Sequence, residues 1–292
     1  MIQKRDLLVG IVLAAAVLAV AVLAVIVLSV ASLDEPLIGE PSVAVLDIIG
    51  GIYTPAGMIE QLDRYVRHEN VPAIVIRLNT PGGGVAATQE VYESVRKAKD
   101  AGKIVIASMG TVAASGGYYI AAACDTIIAS PATITGSIGV IATFPDLSGL
   151  YEKVGIDYAV IKTGEFKDTG STTRGLTEQE REYLDEVLAD IFDQFLEVVA
   201  TERGMPLEEV RVLADGRVFT GRQALENGLI DMLGTYQDAV DLAGELAGLG
   251  VDPPVYRENR VGLWDILFEG MYGAFSRVSE QRLPTMSYLM DF

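Results

Sequence analysis

Short β-branched runs alternate with stretches of helical period from Val43 to Asp231. That alternation restricts the chain to an α/β fold with mainly parallel strands. Val43–Ile49, Ala73–Leu78, Ile104–Ser108, Thr126–Ala129, Ile138–Ala142 and Tyr158–Ile161 read as strands. The stretches around Met58 to His68 and from Ala86 to Ala101 read as helices. Thr177 to Arg203 is a long amphipathic pattern, with Thr177 as its cap and Glu180 completing a capping box. Another helix should begin near Pro206. Asp215 to Asp231 then reads as a strand, a short helix from about Gly221 and a short strand.

Upstream, Leu7 to Leu33 carries no charge and is almost entirely Leu, Val, Ala and Ile. It exceeds the roughly 20 residues that a bilayer core requires. Lys4 and Arg5 precede it, and Asp34 and Glu35 follow. The basic flank should stay in the cytoplasm, which places the rest of the chain outside as a single-pass membrane protein. A cleaved signal peptide shares the basic start, but its apolar core is only about 7–15 residues long, so a retained anchor is the expectation. The expected organisation is a cytoplasmic N-terminus and anchor over 1–33, a stalk over 34–41 and one domain over 42–292. The tail from about 250 is apolar and aromatic, with Trp264, Phe268, Tyr272 and Phe275. Such a tail suits subunit contacts, a membrane surface or a helix capping its own core.

The formal net charge is −18 and the sequence pI near 4.4. Nucleic acid is therefore not an expected partner, since phosphate binding needs clustered Lys and Arg. Solubility is the plainer account of the acidity. Cys124 is the only cysteine, which excludes an intramolecular disulfide and suits a small buried hydrophobe. No Cys/His cluster offers a zinc site, and neither metal nor cofactor is expected.

Chemistry concentrates in a few segments. Asn79-Thr80-Pro81-Gly82-Gly83-Gly84 ends a strand with three glycines. Its open amides could bind a phosphate or an oxyanion, or the segment could be a plain strand-to-helix turn. Ser115 follows a strand and precedes an apolar helix from Gly116 to Ala123, where it reads as an N-cap or as a nucleophile. The Gly116 and Gly83 amides could then be the two oxyanion donors. Only one histidine is present, His68, on a charged helix face where a solvated role is expected. A Ser-His-Asp arrangement is thus disfavoured, whereas a Ser-Lys dyad needs only one amine. Lys167 is the last lysine of the chain, with Lys162 as its rival and surface charge as the ordinary reading of either. A lysine base must lose its proton near neutral pH, which burial promotes and which arginine cannot do.

Taken together, the segments at Asn79 to Val85, Ser108 to Asp125, Pro131 to Val140, Ile161 to Glu180 and Asp215 to Asp231 resemble the signal peptide peptidase A family. These are membrane-anchored Ser-Lys serine proteases of family S49. The resemblance implies a ClpP/crotonase-like fold of repeated ββα units. It implies Ser115 as nucleophile, Lys167 as general base, Gly83 and Gly116 as oxyanion donors, and Ser137 as the hydroxyl that orients the lysine. It further implies the short, single-core form, which assembles into dome-like homo-oligomers such as an octamer, with neighbouring subunits helping to complete each site. Apolar, signal-peptide-like segments are the implied substrates. The anchored NfeD-type proteases would share this chemistry. A crotonase-type acyl-CoA enzyme and a non-catalytic membrane scaffold are the rival readings.

Overall fold

The structure, a computed structural model, describes residues 17–18, 38–258 and the backbone of 286–289. The chain divides into two units, Met1–Gly39 and Glu40–Phe292. Apart from the helical, exposed pair Val17 and Leu18, the expected anchor Leu7–Leu33 lies outside the described residues, as does most of the aromatic tail. Among the described residues no helix is long and apolar enough to cross a membrane.

The second unit is an α/β fold around a parallel-rich sheet. Its central strands are β1 (Val43–Ile49), β2 (Ala73–Thr80), β4 (Ile104–Ala114) and β5 (Thr126–Ala129). They pair in parallel in the order β1-β2-β4-β5, flanked by β10 (Val255–Arg257) and β9 (Met232–Leu233). Continuous apolar runs suit this position, because both faces of the sheet are covered. Val43, Val45, Ala73, Val75 and Ile106 pack with Ala239 and Ala243 of a helix at Tyr236–Leu246. The alternate residues Ala44, Leu46, Ile74 and Ile76 are equally buried. Helices α1 (Ala56–Arg67), α2 (Val85–Asp100) and α3 (Gly116–Ala122) also contact the central strands.

Strand β4 is longer than its apolar run suggests. Its register against β2 shifts between Leu78 and Thr80, and beyond that point it pairs with β6 (Ile134–Gly136). β6 in turn pairs antiparallel with β8 (Val218–Thr220). A separate antiparallel sheet has the order β3-β11-β7, from Gly82–Gly84, Met286–Leu289 and Ile141–Ala142.

Several local expectations hold. The long helix spans Glu178–Arg203, and both hydrogen bonds of the Thr177–Glu180 capping box form. Cys124 is free and buried, and desolvation pushes its thiol well up. The helix expected near Pro206 forms as Leu207–Leu213, with Pro206 at its N-cap. Other expectations need correction. Of Ile138–Ala142 only Ile141–Ala142 (β7) is strand, and the positive φ at Gly136 (75°) and Ser137 (50°) ends β6 just before this segment. Tyr158–Ile161 forms no strand and is exposed, since no described strand pairs with it.

Candidate active site

Ser115 joins β4 to α3 with φ 53° and ψ −116°. Among the described residues, Ser115, Ser137 and Asp252 are the non-glycine residues with positive φ. Such backbone costs about 1–3 kcal/mol each and persists only where the surroundings impose it. Here the imposing contacts are visible. The Ser115 amide donates to Gly136 O at 2.7 Å, and the Ser137 amide donates to Arg217 O at 2.9 Å. Ala114 pairs with Gly136 in parallel register, so the two serines continue adjacent strands side by side. Ser115 is 1% exposed and its Oγ has no hydrogen-bond partner; Ser137 is also buried.

The glycine strand β3 lies against Ile52. The Ile52 amide donates to Gly82 O and the Gly84 amide donates to Ile52 O, both at 2.9 Å. Alternation along a strand then turns the Gly83 N–H to the opposite side, where β11 runs. A Cβ on Gly83 would stand 2.2 Å from Ile52 O, so only glycine fits. A Cβ on Gly116 would stand 2.6 Å from Thr88 Oγ1 and 3.3 Å from the Gly83 nitrogen. Ser115, Gly116 and Gly83 are therefore brought together, with Ser137 beside Ser115.

Lys167 is not joined to them within one chain. It lies on a 3₁₀ turn at Glu165–Asp168, exposed, and makes no hydrogen bond to Ser115 Oγ. The turn itself is anchored. Asp168 accepts from Lys162 Nζ at 2.6 Å and from Arg174 Nη2 at 2.8 Å. Arg174 Nη1 also donates to Glu180 Oε2 at 2.7 Å, and Glu180 is 2% exposed. Arg174, then Lys162, hold the Asp168 carboxyl well below the usual carboxylate range. Lys162 is thereby engaged in an ion pair. His68 ends α1, where its Nδ1 accepts from the Asn70 amide at 3.2 Å.

A cleft runs between β3 and β7, and the chain's own β11 lies in it as the middle strand. Tyr288 pairs with Gly83, and Ser287 pairs with both Gly84 and Ile141. Next to it is a pocket of about 590 Å³ lined by Ser137, Val140, Ile141, Leu188, Phe192 and Asp215, among others. Among the described residues no group of His, Cys, Asp or Glu is arranged to hold a metal ion. Sequence reasoning passed over Thr88, and it passed over the Asp168–Arg174–Glu180 network. The capping box was the one available signal for the latter.

The model of peptidase family S49 matches residues 97–250, just over half of the chain and including Ser115, Ser137 and Lys167. A putative protease of Synechocystis sp. is 42% identical over 212 residues, which cover 72% of this chain and 76% of that protein. A putative signal peptide peptidase SppA of Enterococcus faecium is 38% identical over 65% of this chain and 55% of its own length. Protease 4 of Salmonella typhi is 33% identical over 74% of this chain and 35% of its own length. The chain thus spans about half of the Enterococcus protein and about a third of the Salmonella one.

Proposed function

This chain belongs to peptidase family S49 and is a serine protease, and from that premise we propose that it cleaves extended apolar peptides through an acyl-enzyme on Ser115. The observation that carries the reading is the buried, strained Ser115 hydroxyl, without a partner beside the amides of Gly83 and Gly116. Neutral Lys167 takes the Ser115 proton as Oγ bonds to the peptide carbonyl carbon. The carbonyl electron pair moves onto oxygen, which the two glycine amides hold. Collapse breaks the C–N bond, and the Lys167 ammonium protonates the leaving amine. Lys167 then deprotonates the water that attacks the ester, and Ser115 Oγ leaves with a proton. Ser137 orients the lysine.

An exposed lysine keeps its proton, so the base needs a desolvating surface. A neighbouring copy of the chain supplies it in our reading. Leu150, Val154, Tyr158, Val160, Ile161 and Phe166 are apolar, exposed and close in sequence to Lys167, as expected of a subunit contact. Lys167 of one copy would then serve Ser115 of the next, within a homo-oligomer. The strand in the cleft favours an extended peptide over an acyl-CoA ligand, because backbone pairing recognises a strand. The apolar pocket beside Ser137 would take a substrate side chain. Signal-peptide remnants, a ClpP/crotonase-like fold and an anchor at Leu7 to Leu33 that leaves the catalytic domain outside the membrane complete the reading.

The test is cleavage of apolar signal-peptide sequences by the full chain across pH 6 to 10. Ser115→Ala and Lys167→Ala should each abolish it while assembly is retained. Full activity in Lys167→Ala would remove that residue from the base role.

A further inference from the structure

We propose that Thr88 is a third hydrogen-bond donor to the oxyanion, alongside the amides of Gly83 and Gly116. The proposal rests on the acyl-transfer reading above. Thr88 lies in the first turn of α2, four residues beyond Gly84, and is fully buried. Its Oγ1 has no hydrogen-bond partner. A buried helical threonine can donate its proton to the carbonyl one turn back, and Thr88 does not. Valine has nearly the same shape and would fill the space without burying an unpaired hydroxyl. Packing alone therefore does not account for a threonine here.

Position supplies the account. Among the described residues the buried side-chain oxygens or nitrogens without a partner are Thr88 Oγ1 and Ser115 Oγ. Ser115 immediately precedes Gly116 in the chain, and Thr88 packs against Gly116. The point where a Gly116 Cβ would stand is 2.6 Å from Thr88 Oγ1 and 3.3 Å from the Gly83 nitrogen. One incoming acyl group completes both hydroxyls. Its carbon bonds to Ser115 Oγ, and its oxygen accepts from Thr88 O–H. Thr88 keeps its proton throughout, so it stabilises charge without taking part in the proton transfers. Native structures leave few buried polar groups unpaired, and a catalytic role is one recognised reason for an exception.

The experiment compares Thr88→Val, Thr88→Ser and Thr88→Ala with the parent and with Ser115→Ala, all as full chains. It measures kcat and KM on one apolar peptide, the rate of Ser115 labelling by a fluorophosphonate, and the thermal midpoint. Thr88→Val should keep or raise the midpoint and leave KM nearly unchanged. Its kcat should fall roughly 100-fold, the loss typical of one oxyanion donor. Thr88→Ser should stay within a few-fold of the parent. Thr88→Ala gives the same comparison if valine disturbs the packing. Parental kcat in Thr88→Val, or a serine variant as slow as the valine one, overturns the proposal while an inactive Ser115→Ala leaves the nucleophile in place. Activity surviving in Ser115→Ala overturns the acyl-enzyme reading and this proposal with it.

Discussion

The amide of Ser115 donates to the carbonyl of Gly136 at 2.7 Å, and this bond ties the turn after β4 to the end of β6. Each strand is followed directly by a serine with positive φ, so the sheet itself imposes the conformation that places two hydroxyl-bearing residues side by side. Rigid elements thus hold the site, as positioning of a nucleophile requires.

Ser115→Gly should be more stable than Ser115→Ala, the reverse of the usual order. Alanine keeps the strain at φ 53° whereas glycine relieves it, and the difference should be about 1–2 kcal/mol after the entropy cost of glycine. Denaturant unfolding of the two inactive variants measures this directly. An alanine variant equal to or above the glycine one would mean that the backbone is not strained.

Gly83→Ala should lower peptide cleavage by roughly 100-fold or more, because the new methyl must displace the strand that carries a donor. The Cβ would meet Ile52 O at 2.2 Å, a backbone atom with no rotamer to change. Stability should fall as well, by about 1–3 kcal/mol, as for other overpacked sites. Parental kcat/KM in this variant would exclude Gly83 from the site.

The strand in the cleft should compete with substrate. Ser287 occupies its middle, paired with Gly84 on one side and Ile141 on the other. Ser287→Pro removes an amide donor that a central strand needs. KM for an apolar peptide should drop by about threefold or more as the competitor leaves, by mass action. An unchanged KM would show that Met286–Leu289 does not contend for the cleft.

Acid should release the turn that carries Lys167. Hydrogen bonds from Arg174 hold the Glu180 carboxyl down, from 4.5 to about 2, against the opposing effect of burial. A depressed carboxyl contributes stability that is present above its unfolded value and lost as pH falls through the folded one. The segment 165–176 should therefore lose protection from hydrogen exchange, taken relative to the intrinsic rate at each pH, between pH 4.5 and about 2, and Glu180→Gln should flatten that dependence. Protection factors that stay flat in the parent over this window would contradict it.

The most legible parts of the chain were those fixed by local chemistry. The Thr177–Glu180 box and the strand at Thr126–Ala129 needed only adjacent residues, and both form where expected. The glycines at 83 and 116 were readable as open backbone, but their approach to each other depends on β3 meeting α3 across the sheet. Tyr158–Ile161 misled because an apolar, β-branched run becomes a strand only when another strand offers its backbone. The positive φ of Ser115 and Ser137 left no trace, since serine has no preference for that region. The unpaired hydroxyl of Thr88 was equally hidden, because it is a property of packing around an otherwise ordinary helical residue.

The most direct test mixes two inactive proteins. Ser115→Ala retains Lys167, and Lys167→Ala retains Ser115. If each site takes its serine from one copy and its lysine from the next, subunit exchange between the two should restore about a quarter of parental peptide cleavage, since that fraction of head-to-tail contacts joins the intact pair. Mixtures as inactive as either variant alone, with subunit exchange verified and the parent active, would contradict a Ser115–Lys167 site built between copies.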